Sequence, residues 1–271
     1  MVGHSRRVKR NALLGAIVLL ALTSASEAAA DGGSGPLGVT TVAAATRDAA
    51  RVGALFQAAD AGHLAGAHFC TASVVHAVHH NLLVTAAHCL SGSGALVFVP
   101  GYRDGKAPYG VWKVARVLLP AGWAKAQDED SDVAFATVAA LDGREIEDVV
   151  GADRLATRTN TTGATAVTVT GYPNSHEVPI RCTNHPTAHS ATQQRITCPD
   201  FTGGTSGSPW INGENRIVGI LGGHEQGGST ADISYSVVLG DEAVELYEDA
   251  SSAPETSNPR VMRCAIWTAG Q

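Results

Sequence analysis

Eight short segments rich in β-branched residues alternate with turn residues along this chain, and that pattern limits its possible folds more than any other feature. The segments cover residues 71–75, 82–85, 96–99, 111–118, 133–138, 164–170, 217–221 and 233–238, with Gly, Pro, Asn and Asp between them. Such punctuated segments are typical of β-strands. Only residues 241–247 predict a clear helix, with acidic residues in its first turn. The sequence therefore predicts an all-β sandwich or pair of barrels with a short C-terminal helix.

The N-terminal end has the three parts of a secretory signal peptide. The basic stretch SRRVKR precedes an apolar run at residues 13–22, and Ala28 to Ala30 offer a cleavage point. A transmembrane anchor, the alternative, needs about 20 apolar residues, twice the length of this run. We therefore predict that residues 1–30 are a signal peptide and that the protein is secreted, without stable membrane association after cleavage. The twin arginine within the basic stretch leaves the export route open.

The remaining chain divides by composition into three parts. Residues 31–51 are rich in Gly, Ala and Thr and have no clear strand pattern, so we expect a propeptide or a flexible lead. Residues 52–250 contain the predicted strands and form the expected folded domain. Residues 251–271 begin with a Ser/Pro/Glu linker and are predicted to be a C-terminal tail.

Charge and composition exclude several classes of function. The formal net charge is −6, and removal of residues 1–30 would discard four basic residues and one acidic residue, which takes it to −9. A protein this acidic lacks the basic field that nucleic-acid binding requires. With 44% hydrophobic residues the chain is too apolar for intrinsic disorder. It also has neither a Gly-rich phosphate loop after a strand nor a repeat of fixed period.

Three short motifs carry reactive side chains. Residues 82–89, LLVTAAHC, form an apolar segment that ends in small residues and presents His88 beside a Cys. Residues 131–136, SDVAFA, put Asp132 at the start of a buried strand, where an unpartnered carboxylate would cost several kcal/mol. Residues 203–210, GGTSGSPW, surround Ser206 with glycines that allow consecutive N–H groups to point at one spot.

Each motif alone has an ordinary explanation, as a surface His, a turn Asp or a flexible loop. Together, in the order His, Asp, Ser, they match a nucleophilic triad in which Asp orients the imidazole, His takes the hydroxyl proton and Ser attacks a carbonyl. The α/β-hydrolases use a G-x-S-x-G elbow and the order Ser, Asp, His, so that class does not fit. We therefore predict that His88, Asp132 and Ser206 are catalytic.

At these motifs the chain resembles the chymotrypsin-like, trypsin-fold serine peptidases. Residues 85–89 are similar to the TAAHC box of that family, residues 132–134 to its D-[IV]-A strand, and residues 204–209 to its G-x-S-G-[GS]-P loop. The stretch TVTGYP at residues 168–173 and the GGTSGSP loop resemble the secreted bacterial branch that includes glutamyl endopeptidases. The resemblance implies two antiparallel six-stranded β-barrels with the active site between them.

The same resemblance assigns roles around the nucleophile. It implies that the backbone N–H groups of Gly204 and Ser206 form the oxyanion hole. Animal trypsins have an Asp before the nucleophile that pairs with a new N-terminal amine, whereas Thr205 has no charge to offer. We therefore do not expect activation by that ion pair.

The five cysteines suit an exported protein. The family resemblance joins Cys70 to Cys89 beside the predicted catalytic His. Cys182 and Cys198 would close a loop of about 15 residues, worth roughly 3 kcal/mol in the chain-entropy description. Cys264 is left over, either as a free thiol or because this pairing is incorrect.

Substrate preference has more than one interpretation. Asp200 has the spacing before the nucleophile at which trypsins bind Lys or Arg, but it also follows a Pro in a turn that would face solvent. Leu221 stands where the glutamyl branch has a His, so glutamyl preference is not supported. The edge formed by Gly222, Gly223 and His224 is predicted to receive the substrate backbone as an added strand.

No metal or organic cofactor is expected. Two histidine clusters, residues 76, 79 and 80 and residues 185 and 189, lack a convincing set of three or four ligands and are interpreted as surface residues. The predicted function is a secreted, monomeric serine endopeptidase that acts on proteins or peptides through an acyl-enzyme. The alternative is a secreted binding protein on the same fold with an unproductive triad.

Overall fold

Strands make up most of the folded chain, as the sequence predicts. The computed structural model describes residues 1–3, 36–156 and 165–252. Within these ranges the strands are β1 (Thr40–Val42), β2 (Val52–Gln57), β3 (Cys70–Val75), β4 (Leu82–Thr85), β5 (Leu96–Pro100), β6 (Trp112–Leu118), β7 (Ala134–Val138), β8 (Arg154–Leu155), β9 (Val167–Gly171), β10 (Ile180–Asn184), β11 (Thr187–Ala188), β12 (Gln193–Thr197), β13 (Pro209–Asn212), β14 (Arg216–Ile220) and β15 (Ile233–Val237). The α-helices are α1 (Ala87–Leu90), α2 (Ala121–Ala126), α3 (Ile146–Val150) and α4 (Asp241–Ser252).

The first half of the fold is a closed antiparallel barrel with the strand order β2-β3-β4-β7-β6-β5. Strands β3, β4 and β7 are buried at every position, which explains why their sequences are continuously apolar or small rather than alternating. Large side chains, including Phe98, Trp112 and Phe135, fill the core. The pairing of Thr85 with Ala134 brings the end of β4 next to the start of β7. The motifs that contain His88 and Asp132 therefore lie side by side.

The second half contains two sheets. The larger has the order β1-β10-β9-β13-β14-β8, antiparallel except for the pair β14–β8, and the smaller has the order β11-β12-β15. A bridge between Leu221 and Ser236 connects the two. Their core includes Trp210, which is fully buried. The all-β class and the C-terminal helix are confirmed, with one closed barrel and a second half built from these two sheets.

Several strands were not predicted from sequence, among them β2, β10, β12 and β13. Strand β12 has the sequence QQRIT, which is too polar to stand out, and it is held by antiparallel pairing with β15 over five residues. Strand β13 begins at Pro209 inside the turn-rich nucleophile motif, so its composition indicated a loop.

The N-terminal lead is the main difference from the expected domain organisation. Residues 36–51 are not a flexible arm, because β1 pairs with β10, and further backbone hydrogen bonds join Gly38 to Thr183 and Ala43 to Pro179, both at 2.8 Å. These hydrogen bonds hold the segment on the larger sheet, although it has few large apolar side chains to bury. The folded region therefore begins before residue 52.

The C-terminal helix is longer than predicted, since α4 continues to Ser252, two residues beyond the expected domain boundary. The rest of the predicted tail, including Cys264, and the predicted signal peptide from residue 4 onward lie outside the described residues. Among the helices of the described ranges, none has the length and apolarity required to span a bilayer.

Candidate active site

His88 is held at the end of strand β4 by the local chain and by a disulfide. Ala86 and Ala87 are fully buried, and the short helix α1 begins at Ala87. Cys89 is bonded to Cys70 on β3, with 6.1 Å between the Cα atoms. The backbone N–H of His88 donates to Asp132 Oδ1 at 2.9 Å, and its Nδ1 donates to Asp132 Oδ2 at 2.7 Å. Two bonds to one carboxylate fix both the position and the tautomer of the imidazole.

Asp132 is completely buried where the 3-10 turn Glu129–Ser131 meets β7. Besides the two bonds from His88, it accepts the backbone N–H of Gly223 at 2.8 Å. An ionised carboxylate is tolerated inside a protein only when hydrogen bonds replace its hydration, and three N–H donors do so here. A Cβ at Gly222 would lie 2.8 Å from Asp132 Oδ2, which explains the glycine next to this contact.

Ser206 lies on a loop that is pinned against the first barrel. Thr71 on β3 donates its N–H to Ser206 O at 2.8 Å and its hydroxyl to Gly204 O at 3.0 Å. Gly207 has a φ of 83°, and a Cβ there would lie 2.1 Å from both Thr71 O and Thr85 Oγ1. Only glycine permits this approach. The loop therefore brings Ser206, which is partly exposed, to the end of β4 from which His88 projects.

Two backbone N–H groups of the same loop are available to a ligand. The N–H of Asn174 donates to Gly203 O at 2.7 Å, and because the C=O and N–H of a trans peptide point in opposite directions, the Gly204 N–H points away from Asn174. Within the described residues, neither the Gly204 nor the Ser206 N–H donates to a protein acceptor. The hydroxyl of Thr205, in contrast, donates a hydrogen bond within the loop to Thr202 O at 2.7 Å.

The edge at residues 222–224 differs from expectation. The N–H of Gly222 donates to Tyr235 O, that of Gly223 to Asp132, and that of His224 to Gln193 Oε1. These groups are therefore already satisfied inside the protein, and a substrate strand could pair at this edge only through carbonyl oxygens. Sequence reasoning missed the structural role of Gly223 because its partner is 91 residues away.

Asp200 is exposed and has a φ of 69°. The structure therefore agrees with the interpretation of Asp200 as a turn residue that faces solvent. Its carboxylate is not buried in a pocket. Its neighbour Phe201 is the buried residue of the pair. Nothing at Asp200 favours recognition of a basic side chain.

His224 belongs to an aromatic cluster that sequence reasoning did not find. Its ring centroid lies 4.7 Å from that of His189 and 4.8 Å from that of Tyr235. His224 Nδ1 is also 3.5 Å from the carboxylate of Glu129, in the turn that leads to Asp132. No local pattern could reveal this cluster, because its members come from three separate segments.

The second predicted disulfide, Cys182–Cys198, is also present and connects β10 to the residue after β12, with 5.9 Å between the Cα atoms. It secures the strands that precede the Ser206 loop, so both halves of the candidate site have a covalent crosslink.

Comparisons with known proteins agree with this arrangement. The protease Anisep from Arthrobacter nicotinovorans has a TM-score of 0.66 and 26% identity, with 77% of this chain and 99% of that chain covered. The thermostable serine protease AL20 from an extremophilic microorganism has a TM-score of 0.66 and 25% identity, with 77% and 100% covered. A Glu endopeptidase has a TM-score of 0.65 at 22% identity, with 81% and 99% covered, which shows the fold alone.

No curated protein matches the chain significantly in sequence. Residues 70–220, however, match the family described as the trypsin-like peptidase domain, and this match spans more than half of the chain. The resemblance to chymotrypsin-like serine peptidases is thereby confirmed, and the chain belongs to the trypsin-like peptidase family.

Proposed function

We propose that the protein is a secreted serine endopeptidase whose catalytic residues are His88, Asp132 and Ser206. The observation that carries the proposal is the pair of hydrogen bonds from His88 to the fully buried Asp132 carboxylate. Within the described residues the His88 ring has no hydrogen-bond partner other than Asp132, which leaves Nε2 for a proton from Ser206. The imidazole is partly exposed, so its free nitrogen is open to a substrate and its nucleophile.

The proposed reaction follows from these positions. Ser206 Oγ attacks the carbonyl carbon of the scissile bond while His88 Nε2 takes its proton, and Asp132 stabilises the imidazolium. The N–H groups of Gly204 and Ser206 stabilise the developing oxyanion, where one donor typically contributes about 10²–10³ in rate. His88 then protonates the leaving amine as the C–N bond breaks, and water hydrolyses the acyl-enzyme by the same steps. This chemistry needs no metal or organic cofactor.

The remaining features of the proposal concern maturation and location. The two disulfides suit an oxidising compartment, and they agree with secretion after removal of residues 1–30. We propose that the mature enzyme is a monomer that acts on protein or peptide substrates. Because residues 36–51 contain strand β1 (Thr40–Val42), a maturation cut after that strand would detach it from the rest of the chain in the larger sheet. We therefore place any such cut before that strand.

Covalent labelling tests the proposal directly. An organophosphonate or sulfonyl fluoride probe should modify Ser206 and stop hydrolysis of a broad peptide library, and Ser206→Ala should abolish both labelling and hydrolysis. Ser208→Ala is the matched control, since Ser208 lies two residues away, is buried, and donates its hydroxyl to Thr205 O. That variant should keep its label. Full hydrolysis by Ser206→Ala would overturn the proposal.

The alternative, an unproductive binding protein on the same fold, predicts a different result. A correctly folded protein that neither reacts with the probe nor cleaves any member of the library would favour it. The sequence retains all three members of the predicted triad, which argues against this alternative, because such proteins usually lose one of them.

A further inference from the structure

A second cluster of titratable side chains lies between the β3–β4 turn and helix α3, and it contains no predicted catalytic residue. His76 Nδ1 is 2.6 Å from Glu147 Oε1, and His80 Nδ1 is 2.8 Å from Asp148 Oδ1. The two imidazole rings have centroids 6.1 Å apart. The sequence suggested surface histidines at this turn, because Glu147 is 71 residues away from His76 and could not be assigned to the cluster.

The geometry of this cluster approaches that of a metal site. One potential ligand atom from each of His76, His80 and Glu147 lies within 4.8 Å of the others. In a tetrahedral site with bonds of about 2.0–2.2 Å, ligand atoms are about 3.3–3.6 Å apart, so the present spacing is of the order that such a site requires. Glu147 is mostly buried, whereas the two histidine side chains are 40% and 42% exposed, which allows an ion to enter from solvent.

The backbone around the cluster is already fixed. The N–H of Glu147 donates to His80 O at 3.0 Å, and the hydroxyl of Tyr247 on α4 donates to His76 O at 2.7 Å. The N–H of His76 donates to Asp153 O at 2.8 Å. Because three separate segments hold the two histidines and the glutamate, little backbone order would be lost on binding. Asp148 accepts from His80 Nδ1 and leaves Nε2 available, the arrangement in which a carboxylate orients a ligating imidazole.

We propose that His76, His80 and Glu147 form a zinc site that connects the β3–β4 turn to α3. Two imidazoles and one carboxylate suit Zn²⁺ better than Ca²⁺ or Mg²⁺, which take oxygen ligands. The ion replaces the proton that His76 and Glu147 otherwise share, and water completes its coordination. Because the site exists only in the folded chain, bound Zn²⁺ stabilises the fold. This inference is independent of the proposed catalytic activity.

Isothermal titration calorimetry tests the site on purified protein dialysed first against EDTA and then against chelator-free buffer. We expect one Zn²⁺ per chain at the cluster and a concentration-dependent rise in the melting temperature, with no corresponding response to Ca²⁺. His76→Ala and Glu147→Gln should each weaken Zn²⁺ binding at least tenfold. If His76→Ala does not fold, as judged by circular dichroism, His80→Gln takes its place because His80 is the other imidazole of the cluster.

Two control variants separate this site from other histidines. His79→Ala removes an exposed imidazole from the same turn that is outside the cluster, so Zn²⁺ binding should be unchanged. His189→Ala removes one ring of a second close histidine pair, His189 and His224, and it should also bind normally. Zn²⁺ affinity that is unaffected in Glu147→Gln, or lost in His189→Ala instead, would overturn the assignment, as would the absence of any Zn²⁺ binding.

Discussion

Replacement of Asp132 by Asn tests the proposed catalytic arrangement most sharply, because it preserves the shape of the side chain and changes only its charge and its hydrogen bonding. The carboxylate accepts three N–H groups, the backbone N–H and Nδ1 of His88 and the backbone N–H of Gly223, at 2.7–2.9 Å. An Asn side chain has one acceptor oxygen and one NH₂ donor, so it cannot accept all three. At least one buried N–H must lose its partner.

The two orientations of the amide have different consequences. With its oxygen at the Oδ2 position, the NH₂ faces the His88 backbone N–H, and an unpaired buried donor costs about 1–3 kcal/mol. With its oxygen at Oδ1, the NH₂ faces His88 Nδ1, which must become an acceptor and move the ring proton to Nε2. That tautomer cannot take a proton from Ser206. We expect kcat to fall about 10⁴-fold, as this substitution does in Ser-His-Asp peptidases.

The assay measures kcat and KM on a cleaved member of a quenched peptide library, and urea denaturation measures the free energy of unfolding. Asp132→Asn should lower that free energy by about 1–3 kcal/mol and leave most of the protein folded at room temperature. Asp130→Asn is the matched control, because Asp130 is exposed and, among the residues that the structure describes, accepts a side-chain hydrogen bond from Gln193 alone. Activity of Asp132→Asn within tenfold of the unmodified protein would refute the reasoning.

Two further predictions concern the oxyanion loop and a buried ion pair. Gly204→Ala should lower kcat about 10²–10³-fold, because Gly204 has a φ of 96° and a new Cβ would lie 2.5 Å from Tyr172 O. Gly203→Ala is the control, since a Cβ there would lie 3.6 Å from the nearest atom. Equal activity of the two variants would contradict the role of Gly204. Burial raises the pKa of Asp153 above its usual 3.8, although Arg51 Nη1 lies 2.8 Å from its carboxylate. The native state therefore binds more protons at this residue than the unfolded state does. The free energy of unfolding should fall as pH rises from 3.8 through the raised pKa. Asp153→Asn should remove that decline in urea denaturation measured from about pH 3.5 to 7, and parallel profiles for the two proteins would contradict the assignment.

The strands that sequence patterns found are those whose own composition is distinctive. Strands β4 and β7 are buried along their whole length, so they consist of apolar or small residues and are recognisable without their partners. Strand β1, in contrast, is stabilised by its pairing with β10, about 140 residues later, and its own sequence TTV carries little signal. The composition of residues 36–51 therefore gave no sign of this strand.

The amino-acid sequence by itself determined the fold class and indicated the candidate catalytic residues, because both depend on local chemistry. The glycines around Ser206, the small residues before His88 and the buried strand after Asp132 are each visible within eight residues. Tertiary structure alone decided which groups surround them. In the folded chain the Gly223 N–H donates to Asp132, and Asp200 lies exposed in a turn.

The same distinction holds for the zinc site, where His76 meets Glu147 only because α3 packs beside the β3–β4 turn. The physical reason is that long-range hydrogen bonds and ion pairs depend on which backbone segments the strand pairing brings within about 3 Å of one another. A local pattern specifies the chemistry of a side chain, and the topology of the two halves specifies its partners.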